Sequence, residues 1–126
     1  GDRIAFTTKG DNRVWTYTVA TQTLAITYDE ASNANPILSG VDNIAVNFAG
    51  EYLVAEDNGD MQLVVLSPAG VVLPLLQLVG HDDSEITGPA FSPDGTRLYF
   101  SSQRGTSGSA LDGITYEVTG PFFSML

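Results

Sequence analysis

Arg3-Ile4-Ala5-Phe6-Thr7-Thr8, Glu51-Tyr52-Leu53-Val54-Ala55-Glu56 and Arg97-Leu98-Tyr99-Phe100-Ser101-Ser102 are three renderings of one short strand pattern, and they decide the fold. Anchored on Ile4, Leu53 and Leu98, they recur at steps of 49 and 45 residues. A second pattern trails each copy: Val14-Trp15-Thr16-Tyr17, Leu63-Val64-Val65-Leu66 and Ile114-Thr115-Tyr116-Glu117, at steps of 49 and 51. Two independent anchors with nearly the same period point to a structural repeat of roughly 40–50 residues built of short strands, the signature of propeller blades.

The middle repeat can be read strand by strand. Residues 43–48 alternate Ile44 and Val46 with smaller or polar neighbours, and Ala49-Gly50 turns the chain. Residues 52–55 form a second strand, and Asp57-Asn58-Gly59-Asp60 carries the Asn-Gly pair favoured in tight hairpins. Residues 62–66 form a third strand, closed by the turn residues Ser67-Pro68-Ala69-Gly70. Residues 71–78 form a fourth, in which Pro74 suits an edge position because it offers no N–H to a neighbour. The first repeat has room only for strands two to four, and the last shows three strands within 87–118. The expected fold is all-β: a β-propeller segment of about three four-stranded antiparallel blades, the first lacking its inner strand and the last its outer one. The repeats fall at approximately 1–40, 41–80 and 81–126. A ring needs more blades, and bare sheet edges invite pairing. The remaining blades come from upstream chain or from another copy; an unusual sandwich is the other solution.

Composition narrows the function classes. The 126 residues carry 5 Lys+Arg against 15 Asp+Glu, a net charge of −10, and 13 glycines with 6 prolines leave little room for long helices. With a pI near 4.1 the chain repels phosphate backbones, so no nucleic-acid partner is expected. The longest apolar run, Val71 to Val79, is interrupted by Pro74 and Gln77 and is too short for a membrane span. With no cysteines, thiolate metal sites, disulfides and a cysteine nucleophile are excluded within the chain. The first residues enter a strand pattern directly, so the chain reads as mature, truncated or not exported.

Phe91-Ser92-Pro93-Asp94-Gly95-Thr96-Arg97-Leu98-Tyr99-Phe100 places a Ser-Pro-Asp-Gly turn between two apolar strands, which is informative for fold more than function. The order around it is more specific. Val41-Asp42-Asn43-Ile44 opens one strand and Val54-Ala55-Glu56-Asp57 ends the next. Asp83-Ser84-Glu85-Ile86-Thr87-Gly88 precedes the turn, and Gly113 to Phe122 closes the chain. This succession resembles the C-terminal part of the PhoX-type alkaline phosphatases and related bacterial propellers, over essentially the whole chain.

The resemblance implies an exported, periplasmic or extracellular, six-bladed propeller that hydrolyses phosphomonoesters with iron and calcium in its central channel. It maps the family's carboxylate before the Ser-Pro-Asp-Gly turn onto Glu85, and its Asp-Asn pair onto Asp42 and Asn43, all three on the metal side. The family's Gly-Pro-Trp is Gly120-Pro121-Phe122 here, and its cysteine iron ligand has no counterpart in this chain. The segment is therefore expected to contribute oxygen ligands and not to be active alone.

The spacing is compatible with that placement. An offset of 45 sets Asp42 beside Thr87 and Asn43 beside Gly88, and Glu85 lies two residues before Thr87. With a side-chain period of two, Asp42 and Glu85 share an orientation near one mouth of the channel. Oxygen ligands there suit a hard ion such as calcium; turn-forming polar residues at strand starts are the plainer alternative.

Other positions carry less. His81, the one histidine, reads as a solvated loop residue more readily than as an acid–base partner of Asp82 or Asp83. Residues 56–60 resemble the start of a calcium loop, but the distal glutamate is missing and a hairpin turn is the simpler reading. Trp15 and Tyr17 read as packing between blades. Ser101, Ser102 and Ser107 have no histidine in a recognisable arrangement, which leaves serine-hydrolase chemistry without support. Three functions remain: a segment of a PhoX-like metallophosphatase, a non-catalytic propeller segment that binds a partner, and a self-associating fragment.

Overall fold

In the computed structural model, residues 1–34, 36–57 and 59–126 are described. Ten strands make three antiparallel sheets of three, four and three strands. The first holds β1 (Arg3–Thr8), β2 (Arg13–Thr18) and β3 (Thr23–Asp29). The second holds β4 (Val41–Val46), β5 (Tyr52–Glu56), β6 (Gln62–Leu66) and β7 (Val72–Gln77). The third holds β8 (Ile86–Phe91), β9 (Arg97–Ser102) and β10 (Ile114–Thr119). Each sheet follows chain order, with hairpins between neighbours. Pro74 sits on the edge strand β7 opposite Val64, next to a register shift at Leu63/Val64. That is where a residue without an N–H costs least. Asn58 of the expected Asn-Gly turn lies outside the described residues.

Alternation along β5 and β6 explains the stacking of the sheets. Leu53, Ala55, Leu63 and Val65 point to one side and join Ile86, Leu98 and Phe100 of the third sheet and Phe122 beyond its last strand. Tyr52, Val54, Val64 and Leu66 point to the other and join Val14, Tyr28 and Leu38. The middle sheet is thus buried on both faces, which is why these two strands read as near-continuous apolar runs. Each fully buried Leu or Val contributes about 1.5–3 kcal/mol relative to exposure.

The two outward faces differ. On the first sheet the register stacks Ile4, Tyr17 and Leu24 in one row, and Phe6, Trp15 and Ile26 in the next. Ile4, Phe6, Leu24 and Ile26 are exposed there. Trp15 and Tyr17, expected between blades, lie on this face, where the Phe6 and Trp15 rings stack at 6.4 Å. The third sheet turns outward Arg97, Tyr99, Ser101, Thr115 and Glu117, joined by an Arg97–Glu117 ion pair and a Ser101–Thr115 hydrogen bond.

Two turns fix the ends of these sheets. In the Ser-Pro-Asp-Gly turn, Asp94 Oδ1 accepts from Ser92 Oγ, Thr96 N and Thr96 Oγ1, and these donors hold its carboxyl down at about 2. Gly95 has φ +68, and a Cβ there would meet Phe123 at 3.1 Å, so glycine is required twice over. At the β4–β5 turn, buried Glu51 accepts from Asn47 Nδ2, Ser124 Oγ and the backbone N–H groups of Met125 and Leu126. Burial alone would raise its pKa, but these four donors overcome that and lower it.

Candidate metal centre

The site lies at one end of the sheets, where β1, β5 and β9 finish and β4 and β8 begin. Asp42 is the second residue of β4, Asp57 follows β5, and Glu85 immediately precedes β8. β4 packs beside both β1 and β8, so three separate sheets deliver their polar ends to one place. One carboxylate oxygen from each of Asp42, Asp57 and Glu85 lies within 4.8 Å of the others.

Asn43 locks the two inner strands. Its Oδ1 accepts from Thr87 Oγ1 at 2.9 Å and from Gly88 N at 2.7 Å, while its Nδ2 donates to Asp42 Oδ1 at 3.1 Å. The expected alignment of Asn43 with Gly88 is realised in this clasp. Gly88 has φ +61, and the β8–β9 register shifts just there, between Thr87 and Ala90. That local bulge aims the Gly88 N–H at Asn43. With both lone pairs of Oδ1 engaged, Asn43 orients Asp42 and couples the strands. Thr7 Oγ1 donates to the Asp42 carbonyl and ties β1 to the same point.

Two cations accompany the carboxylates. Lys9 Nζ, from the β1–β2 turn, is 2.7 Å from Asp57, 3.1 Å from Asp42 and 4.0 Å from Glu85. Arg104, just after β9, approaches Glu85 at 3.3 Å. The hydrogen bonds to Asp57 and Asp42 raise the Lys9 ammonium well above its ordinary value. Glu85 hydrogen-bonds with Asp57 and is partly desolvated, which pushes it up to about 7; the same bond, with Lys9, lowers Asp57. Asp57 and Glu85 thus crowd so closely that Glu85 holds its proton toward neutrality.

The neighbouring Glu56 is a different case. Its side chain is fully buried and accepts from Ser39 N at 2.9 Å and Gln62 N at 2.8 Å. Burial dominates and raises it to about 7. It ties the β3–β4 connection to the start of β6.

Asp42 and Glu85 of the sequence expectation therefore meet. In the sequence Asp57 reads as part of a possible calcium-loop start or, more simply, of a hairpin turn, and its part in a cluster with Asp42 and Glu85 escapes that reading. The available signal was its repeat position: four residues past Leu53, as Thr8 is past Ile4 and Ser102 past Leu98, it falls at the same end of the sheets.

His81 corrects its expectation. It is buried, with Nδ1 2.8 Å from Ser102 Oγ and Nε2 3.2 Å from Tyr116 OH. Ser102 continues to Ser84 Oγ at 2.8 Å, and Ser84 Oγ accepts from Arg104 N at 2.8 Å. A histidine does stand beside Ser102, contrary to the sequence reading. Ser102 is itself fully buried, however, so this chain of bonds braces the segments bearing Glu85 and Arg104. A cleft of about 520 Å³ beside Arg3, Thr16, Ala25 and Pro68 is lined by none of the three carboxylates.

Stacked antiparallel sheets with an acidic cluster at one end, where β4 and β8 begin, define a segment of a β-propeller. Residues 5–105 match the family described as alkaline phosphatase PhoX, and the chain belongs to that family. A solved structure of a luciferin-regenerating enzyme is similar in fold, with a TM-score of 0.67 and 20% identity. The match covers 94% of this chain and 41% of that one, so the chain spans less than half of that propeller's length. No curated protein matches it by sequence.

Proposed function

We propose that this chain is a segment of a metal-dependent phosphomonoester hydrolase and contributes channel-side oxygen ligands to a centre completed by other blades. The observation that carries the reading is the convergence of Asp42 and Asp57 of the middle sheet with Glu85 of the third in a member of the PhoX family. An all-oxygen set of this size fits calcium, which takes carboxylate and carbonyl oxygens at about 2.3–2.6 Å. It also favours a cation on electrostatic grounds, because three carboxylates converge within 4.8 Å of one another. Iron, implied by the family resemblance, would need ligands beyond this chain's own, which has no cysteine.

When bound, such ions supply Lewis acidity toward a phosphoryl oxygen. The chain's own residues do the rest of the local work. Asp42, Asn43 and Glu85 are the ligands the sequence singles out; Asp57 joins the two carboxylates, while Asn43 Oδ1 is taken up by Thr87 and Gly88. Asn43 orients Asp42, and Arg104 holds Glu85 while presenting cationic charge at the rim, the kind of group that receives a phosphate oxygen. The remaining blades, from upstream chain or another copy, cover the apolar face of β1–β3. A periplasmic or extracellular location and a small phosphomonoester substrate go with this reading.

The test uses the full gene product with p-nitrophenyl phosphate, iron and calcium. Wild type hydrolyses the ester and Glu85→Gln loses most of the rate. Equal rates would remove the carboxylate from the chemistry. A second reading, a non-catalytic segment devoted to assembly, is favoured by the exposed Ile4, Phe6, Leu24 and Ile26 face. It predicts no hydrolysis from the full product under any metal.

A further inference from the structure

We propose that Lys9 is a built-in counter-ion that holds the place of the divalent cation among Asp42, Asp57 and Glu85, and that metal enters only as its ammonium leaves. The inference rests on the metal reading above and adds to it the means by which occupancy is controlled.

The geometry places the two cations in the same spot. Lys9 Nζ contacts two of the carboxylates at 2.7 and 3.1 Å and lies 4.0 Å from the third. One oxygen from each of the three carboxylates lies within 4.8 Å of the others, about the distance between two ligands on opposite sides of one calcium ion. An ion centred among them would sit within contact distance of the ammonium, and like charges at that separation repel. Only one of the two fits.

The exit is easy for Lys9 and hard for Arg104. The Lys9 side chain is 54% exposed and rises from the tight turn between β1 and β2, so rotation about its flexible stem releases the ammonium to water without disturbing either core. Arg104 is braced instead: its backbone N–H is held by Ser84 Oγ at 2.8 Å, and its guanidinium meets Glu85 from the other side. Charge follows the same logic. Three carboxylates face two basic side chains in the closed arrangement. Exchanging the ammonium for a dication raises the positive charge facing those three carboxylates from two to three.

The experiment titrates calcium chloride into the full gene product by calorimetry at pH 8, comparing wild type with Lys9→Met. Removing the competitor is expected to tighten binding about tenfold, the ratio equivalent to ~1.4 kcal/mol. Equal or weaker binding by Lys9→Met overturns the proposal while leaving the metal reading intact. Absence of calcium binding in both proteins overturns the metal reading and this proposal with it. A measurement on wild type alone guards against a variant that fails to fold. The Lys9 ammonium resonance, followed by 1H–15N correlation, should move to that of a solvent-exchanging lysine as calcium saturates the site. An unchanged Lys9 signal at saturation overturns the proposal.

Discussion

Substituting Glu85 by glutamine should make the metal-free protein more stable above neutral pH, although it removes an ion pair. Glu85 titrates at about 7 in the folded chain, against an ordinary value near 4.5, because it hydrogen-bonds with Asp57 and is partly desolvated. A group whose folded pKa is raised holds its proton in the folded state after the unfolded chain has lost its own. Between pH 4.5 and 7 the unfolded state therefore binds fewer protons, and stability falls as pH rises through that window. The full shift corresponds to at most about 3 kcal/mol, and solvent at the rim together with Lys9 and Arg104 reduces this to roughly 1–2 kcal/mol. Glutamine cannot ionise and can donate to Asp57 while its carbonyl accepts from Arg104. In chelator, Glu85→Gln should match wild type near pH 4.5 and melt roughly 3–8 °C higher at pH 8.5. Some slope should persist in the variant, because Glu56 is also raised to about 7 by burial. A variant that melts lower than wild type at pH 8.5 would show that the carboxylates are not under mutual strain, and the argument for a missing cation would fail with it.

Other expectations follow from single contacts. Asn43→Ala strips the Thr87 and Gly88 donors of their acceptor and should cost about 1–3 kcal/mol in urea unfolding; a loss below about 0.5 kcal/mol would mean the β4–β8 clasp is idle. Glu51→Gln should cost about 2–4 kcal/mol and speed amide exchange at Met125 and Leu126, which donate to its carboxylate. Because the Glu51 pKa is lowered, its contribution is present above its unfolded value and fades as pH falls through the folded one, so the Glu51→Gln deficit should shrink in acid. Leu98→Ala, at a fully buried position, should cost about 2–5 kcal/mol by calorimetric melting; a smaller loss would contradict the described core. The chain alone should bind calcium only at millimolar levels, since three carboxylates fall short of the six to eight oxygens the ion takes; micromolar binding by calorimetry would mean the ligands are misassigned.

The strand plan was legible because it rests on local chemistry. Period-two alternation, the Ser-Pro-Asp-Gly turn and the edge proline each act within a few residues, and the three, four and three strands follow from them. Limits drifted where burial overrode pattern: the fourth strand begins at Val41, two residues before the alternation suggested, because Val41 is buried against the first sheet. The site was half legible. Asp42 and Glu85 could be aligned by counting along equivalent strands, since the repeat offset carries real distance information. Asp57 could not be separated from an ordinary hairpin turn, because what makes it a partner is the third dimension: β5 ends beside the start of β8. Lys9 and Arg104 escaped for the same reason, each standing just past a strand whose end meets the cluster. His81 misled because polar neighbours in sequence, Asp82 and Asp83, imply solvent. The ring is instead drawn inward by Ser102 and Tyr116, from strands 21 and 35 residues away.

Anomalous diffraction from crystals of the full protein grown with manganese or terbium in place of calcium bears most directly on the acidic centre. The account predicts a peak about 2.0–2.6 Å from oxygens of Asp42, Asp57 and Glu85, with the Lys9 ammonium swung out to solvent. A peak elsewhere in the ring, with Lys9 still seated among the three carboxylates, would contradict it.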